Sequence, residues 1–424
     1  MMSNKPDITL KTNTKTVSYP QDGNFVFSLL VQLEKKGFEQ INLRDLISHP
    51  LTPVPYSIGT MDNSLAKTNK AKGFQWLMKN ISSDKWPEND ASTLVIEDGN
   101  AIFHVLTNVP ENFALIAEKI FDIKSQNQSV IFSTDMYKPD SVKSMERLRR
   151  GKSKQLLIAS PRTKKSADWK QFLMNDGNKK RLVEILLEVW SSQTFAHKLG
   201  NRILTLICDG KATEIKTKEH KVMTTEIPEL ESNQEETDTR VILYCMYAKK
   251  NGYKNIVVRS PDSDIFFILL SYVHELSGVT IFFETGNKNK RKLINITSLG
   301  LNYSEQYCKA LLGLHAFTGC DSTSAFKSKG KVRPIQLMLK DKLIINACSA
   351  LGDSWILSNN ILEGLERLTC RMYGMTKINT VNECRYAKLM SICIDDHNTI
   401  HAKKKFDTAL IPLHMKLLWS MSKE

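Results

Sequence analysis

The stretch STLVIEDGNAIFH, residues 92–104, is a run of β-branched and aliphatic residues that stops at an Asp-Gly pair and continues with helical spacing. A strand that turns directly into a helix is the opening half of a βαβ unit. NVPENFALIAEKIFDIK (108–124) then supplies an apolar stripe at helical spacing, and SVIFSTD (129–135) a second strand that also ends at an aspartate. The alternation resumes with NRILTLICDG (201–210), ETDTRVILYCMYAKKNG (236–252), KNIVVRSPDSDIFFILLSYVHELS (254–277) and VTIFFETG (279–286). Five strand candidates separated by helices predict a doubly wound α/β fold over about 91–300: three α/β/α layers around a mainly parallel central sheet. Ligands bind such sheets at the carboxyl ends of the strands.

Outward from this block, residues 1–90 read as an N-terminal extension docked on the core. It has a polar lead, the helically spaced FVFSLLVQLEKKGF (25–38), and HPLTPVPYS (49–57), whose prolines keep it extended. Residues 91–345 form the α/β domain, with a basic helical clamp inserted at about 138–200 between the second and third strands. Residues 346–424 read as a C-terminal helical region.

Composition narrows the function classes. The 424 residues carry 59 Lys plus Arg against 45 Asp plus Glu, a net +14, and 41% are hydrophobic, as in a globular protein. Eight cysteines without a CxxC read as reduced core thiols. The start lacks an apolar signal region, and the most apolar run, Ile265 to Val273, falls short of the ~20 residues of a membrane span. An intracellular chain without a membrane partner is expected. Walker A, GxGxxG, GxSxG and HExxH patterns are absent.

The positive charge is uneven. From Lys138 to Leu182 there are fourteen basic and four acidic residues, a local +10. Such a cluster is either a solvated helical face or a grip on phosphates through counterion release. Trp169 and Phe172 within it are packing or base-stacking residues. Smaller basic clusters lie at 288–292 and 327–333.

The acidic residues follow the strands. Asp98, Asp135, Asp262 and Asp264 come where three predicted strands end. Glu236 and Asp238 open the helix before the last of them, and Asp321 sits in HAFTGCDSTSAF at a later helical start. Each alone is ordinary capping or turn chemistry. Together they would repel strongly unless a cation shares them. Hard divalent ions take oxygen ligands, and two of them about 3.5–4 Å apart promote in-line phosphoryl displacement. The pattern points to phosphodiester hydrolysis by two Mg²⁺ or Mn²⁺ ions.

In motif order the chain resembles the flap-endonuclease-like branch of the PIN-domain nuclease superfamily. The carriers are IEDGNAIFH with Asp98, FSTDMYKPDSVKSMERLRR with Asp135, EETDTR with Glu236 and Asp238, SPDSD with Asp262 and Asp264, and LHAFTGCDSTSAF with Asp321. The blocks EETDTR, SPDSD and HAFTGCDSTSAF also resemble a group of multicopy animal proteins in which they recur. The resemblance implies a PIN-like nuclease domain over 91–345 whose seven carboxylates are catalytic metal ligands. It also implies a basic arch, and phosphate contacts are assigned to Lys138, Lys143, Arg147, Arg149, Arg150, Lys329 and Lys331. The expected activity is a metal-dependent, structure-specific endonuclease acting on nucleic acid, with DNA favoured over RNA and the nucleus over the cytoplasm. The alternative is a nucleic-acid-binding or scaffold protein that keeps the fold without catalysis. A nucleotide-sugar transferase using Asp262 and Asp264 leaves the other five carboxylates without a role.

Overall fold

Runs of β-branched and aromatic residues form strands where alternate side chains can be buried on both faces of a sheet. The computed structural model describes residues 8–11, 16–19, 42–49, 55–60, 64–138, 141, 153–286, 291–393 and 408–414. A short antiparallel ribbon pairs β1 (Ile8–Lys11) with β2 (Thr16–Tyr19). The remaining described strands are β3 (Thr93–Asp98), β4 (Ser129–Ser133), β5 (Ile203–Cys208), β6 (Lys211–Lys218), β7 (Lys221–Glu226), β8 (Asn255–Arg259), β9 (Thr280–Thr285) and β10 (Lys292–Asn295). They make one eight-stranded sheet in the order β10-β9-β8-β3-β4-β5-β6-β7. Strands β9, β8, β3, β4 and β5 run parallel, while β10, β6 and β7 are antiparallel additions at the edges. The chain is therefore α/β with a mixed, mainly parallel sheet, wider than the five strands expected.

One face of the sheet carries Val95, Val130, Phe132, Leu204, Leu206, Val257 and Phe282, buried in one cluster with residues of the helices Phe113–Ile123 and Asp176–Trp190. On the opposite face Ser133 meets Thr237 and Tyr244 of the helix Thr237–Lys250. Helices thus cover both faces, as parallel strands require. Gly99 explains why an Asp-Gly pair ends β3: a Cβ there would come within 2.4 Å of Cε1 of Phe132. Only glycine lets the following helix, Gly99–Val105, start this close to β4.

The segment between β4 and β5 differs from an insertion over the sheet edge. Its helix Asp176–Trp190 buries Leu182, Val183, Ile185, Leu186 and Trp190 and serves as a crossover helix of the core. Trp169 and Phe172 are also packed inside, rings stacked at 4.9 Å, with the Trp169 indole donating to the Phe103 carbonyl. Lys143, Arg147, Arg149 and Arg150 lie outside the described residues.

The chain divides into two compact units, Leu77–Cys308 and Met1–Trp76 with Lys309–Glu424; the sequence placed its divisions at 90 and 345. In the second unit the N-terminal segment is tied to C-terminal helices. Buried Arg385, on the helix Val381–Cys393, donates to the carbonyls of Ile47, His49 and Pro412. Ala325 and Lys327 donate their backbone N–H to Ala66 and Ser57. No described helix is long and apolar enough to cross a membrane.

Trp190 meets Phe132 and Phe121 edge-on at 5.4 and 5.9 Å and donates to the Ala117 carbonyl. Trp190→Ala should cost about 3–5 kcal/mol in urea unfolding, and a loss under 1 kcal/mol would show that this face of the sheet can repack.

Candidate metal centre at the carboxyl ends of the parallel strands

From β3 the chain goes to β4 on one side, and later places β8 on the other. Strand order reverses at β3, and at such a switch point the flanking loops part to leave a crevice outside the strand ends. The register pairs Asp98 with Ser133 of β4 and Glu97 with Arg259 of β8. The segments after β3, β4 and β8 therefore emerge at one edge.

Each segment delivers a carboxylate through local hydrogen bonding. Asp98 caps the helix Gly99–Val105, one oxygen accepting from Ala101 N at 3.0 Å and the other from Ser260 Oγ at 3.0 Å. Asp135 accepts from Thr237 N at 3.0 Å, capping a helix whose own N-cap residue, Glu236, makes no side-chain cap. The partial positive charge of that helix start favours the carboxylate. Asp262 caps the helix Ser263–Tyr272 by accepting from Asp264 N at 2.9 Å. Asp238 and Asp264 lie in the first turns of their helices.

Carboxylate oxygens of Asp238, Asp262 and Asp264 all lie within 4.8 Å of one another, so this cluster could hold a metal ion. Asp98, Asp135 and Glu236 surround it electrostatically. Burial first, then Asp262, Asp98, Glu236 and Asp135, hold the Asp238 carboxyl well above its ordinary range. Asp98 is pushed up to about 6, again chiefly by burial, with Asp135 and Asp262 adding repulsion. Oxygen donors that resist ionisation because of burial and of one another are what a divalent cation relieves.

The candidate residues are distributed as follows. Six of the seven carboxylates belong to the unit Leu77–Cys308. Asp321 belongs to the other unit, where its carboxylate pairs with Lys70 at 3.1 Å and its carbonyl accepts from Lys67. Lys138 donates to the Asn233 carbonyl. Lys331 is buried, its ammonium on the His315 carbonyl and Thr318 Oγ1 at the end of the helix Glu305–Phe317. Lys329 lies 3.8 Å over the Tyr373 ring.

Two arginines beside the acidic pairs hold the scaffold. Arg240, almost wholly buried, donates to the carbonyls of Glu236 and Thr134, joining the end of β4 to the helix Thr237–Lys250. Arg259 lies between Glu97 and Glu284, in register across β3, β8 and β9, pairing with Glu97 at 2.8 Å. Glu97 also accepts from Ser125 N at 2.6 Å, yet burial holds its carboxyl above the ordinary range. In the sequence Arg259 stands beside the Asp262–Asp264 pair, as a phosphate contact or an ion-pair partner of those carboxylates; its partners in this buried Glu-Arg-Glu ladder are instead Glu97 and Glu284, which local pattern does not bring together with it. Ser260 is missing from the sequence reading, although Ser-Pro-Asp is a turn signal.

Neither a family model nor a curated protein matches the chain.

Arg259→Met leaves two buried carboxylates uncompensated and should cost about 3–5 kcal/mol in denaturant unfolding near pH 7; a change under 1 kcal/mol would mean the ladder is not coupled to stability. Asp98 gives a pH dependence of known sign. Folding favours its neutral form, so its stabilisation is complete below the ordinary value of 3.8 and is lost as pH rises through about 6. In metal-free calorimetry Asp98→Asn should gain on the order of 1–3 kcal/mol over wild type at about pH 8, relative to the difference at about pH 4. A pH-independent difference would refute the shift.

Proposed function

We propose that the chain is a divalent-metal-dependent nuclease that hydrolyses phosphodiester bonds, of the PIN-like, flap-endonuclease-like type. The observation that carries this reading is the gathering of Asp238, Asp262 and Asp264, with Asp98, Asp135 and Glu236 around them, at the switch point of a mainly parallel sheet. Hard oxygen donors in this number suit Mg²⁺ or Mn²⁺ and suit softer metals poorly.

Asp238, Asp262 and Asp264 would hold one ion, and Asp98, Asp135 and Glu236 would contribute to a second. A pair of such ions supplies an activated water and neutralises charge on the leaving oxygen of an in-line displacement. The protein's own part is to present these oxygens at the starts of three helices: Asp98, Asp135 and Asp262 are each fixed by accepting a first-turn N–H, Asp238 and Asp264 lie in first turns, and Glu236 is an N-cap residue. Arg240 and Arg259 keep the strand ends in place. A polyanionic substrate also fits the surplus of basic residues, net +14 over the chain. DNA is the favoured substrate and the nucleus the favoured compartment.

The test is cleavage of labelled single-stranded, flap, bubble and duplex DNA and RNA with Mg²⁺ or Mn²⁺, comparing wild type with the double variant Asp262→Asn, Asp264→Asn. Wild type should cleave and the variant should lose on the order of 10³-fold or more. Equal activity in both would remove the assignment, and binding without cleavage in either would assign a non-catalytic nucleic-acid binder.

A further inference from the structure

The ligand oxygens of Asp262 and Asp264 depend on a connection of only three residues, Ser260, Pro261 and the N-cap Asp262, between the end of β8 and the helix Ser263–Tyr272. Ser260 sits at the junction of three strands and is 95% removed from solvent, with a relative exposure of 5%. Its backbone N–H donates to the Glu284 carbonyl at 3.1 Å, carrying the β8–β9 pairing one residue beyond Arg259. Its hydroxyl donates to Asp98 Oδ2 at 3.0 Å and accepts from Asp262 N at 3.1 Å. One side chain thus joins the carboxylate at the end of β3 to the turn that presents the cluster.

We infer that Ser260 is the positioning residue of this metal centre: its hydroxyl sets the Asp262–Asp264 turn against Asp98, so that the cluster is formed before an ion arrives. The inference rests on the metal-centre part of the function proposed above.

The donor and acceptor roles are both used. A hydroxyl has one proton to give and lone pairs to receive. The proton goes to Asp98, which lessens the repulsion between Asp98 and Asp262 across the turn. The lone pair takes the Asp262 N–H, which fixes the backbone from which Asp262 reaches Asp264 N. Alanine removes both bonds at once, leaving the part-buried Asp262 N–H without this partner and loosening the turn. Threonine keeps both atoms. Groups that orient metal ligands in this way typically change metal affinity 10–100-fold when removed.

The experiment is titration calorimetry of the metal-free full chain with Mn²⁺, together with melting of the metal-free proteins. Wild type, Ser260→Ala, Ser260→Thr and, as a reference, the Asp262→Asn, Asp264→Asn double variant are compared. Ser260→Ala should bind Mn²⁺ about 10–100-fold more weakly while Ser260→Thr stays within about threefold of wild type. The metal-free melting temperature of each Ser260 variant should stay within a few degrees of wild type. Wild-type affinity in Ser260→Ala, or a threonine variant as weak as alanine, would overturn the inference while leaving the metal centre standing. If the alanine variant does not fold, Ser260→Cys, similar in volume and poor at hydrogen bonding, is judged by the same criterion. A wild-type protein that takes up no Mn²⁺, and behaves as the double variant does, would remove the metal centre itself and this inference with it.

Discussion

The parallel register of β3 with β4 on one side and β8 on the other is the constraint on which the site depends. Asp98 opposes Ser133, and Glu97 opposes Arg259, so three segments that leave those strands begin at the same height. Parallel strands place all their carboxyl ends at one edge. A slip of one residue would send Asp98 to the other face, because side chains alternate along a strand. The register is held by side chains as well as by the ladder: Glu97, Arg259 and Glu284 line up across β3, β8 and β9 on one face. Ser133, Thr237 and Tyr244 do the same between β4 and its neighbouring helix on the other.

Six carboxylates at one edge would drive that edge apart without local compensation. Helix starts supply part of it, since Asp98, Asp135 and Asp262 each accept a backbone N–H of a first turn. Buried Arg240 ties the end of β4 to the start of the helix Thr237–Lys250 through the carbonyls of Thr134 and Glu236. Burial first, and the repulsion that remains second, hold the Asp98 and Asp238 carboxyls above their ordinary range. The centre is thus stable enough to fold and retains a standing demand for positive charge, which is the condition under which a hard cation binds well.

The five parallel strands were legible because each is a continuous apolar run ending in a polar turn, and the aspartates were legible because they stand at those ends. Strands β6 and β7 escaped because most of their residues, as in KTKEHK, are polar and exposed at the sheet edge, leaving no apolar period to find. The turn between β5 and β6 did carry its signal in Asp209-Gly210, both at positive φ. The helix Asp176–Trp190 is a core helix rather than a clamp because its five buried apolar residues outweigh the basic residues at its start, and a sequence run does not show which of the two faces decides. Arg259 and Ser260 act through partners 162 residues away in the chain, a distance at which local pattern is silent.

The position of β3 in the sheet also sets the order in which the protein can assemble. Thr93 of β3 and Asn255 of β8 are neighbours across the sheet yet 162 residues apart in sequence. Translation at about 5–20 residues per second leaves roughly 8–30 s between the synthesis of one and of the other. During that interval β3 and β4 can pair, but the opposite edge of β3, four consecutive buried residues from Thr93 to Ile96, has no partner. An apolar edge of this kind is a template for pairing with other chains. The strand at the switch point of the finished sheet is therefore the one that waits longest for its second partner, and its open edge is available for mispairing until β8 emerges.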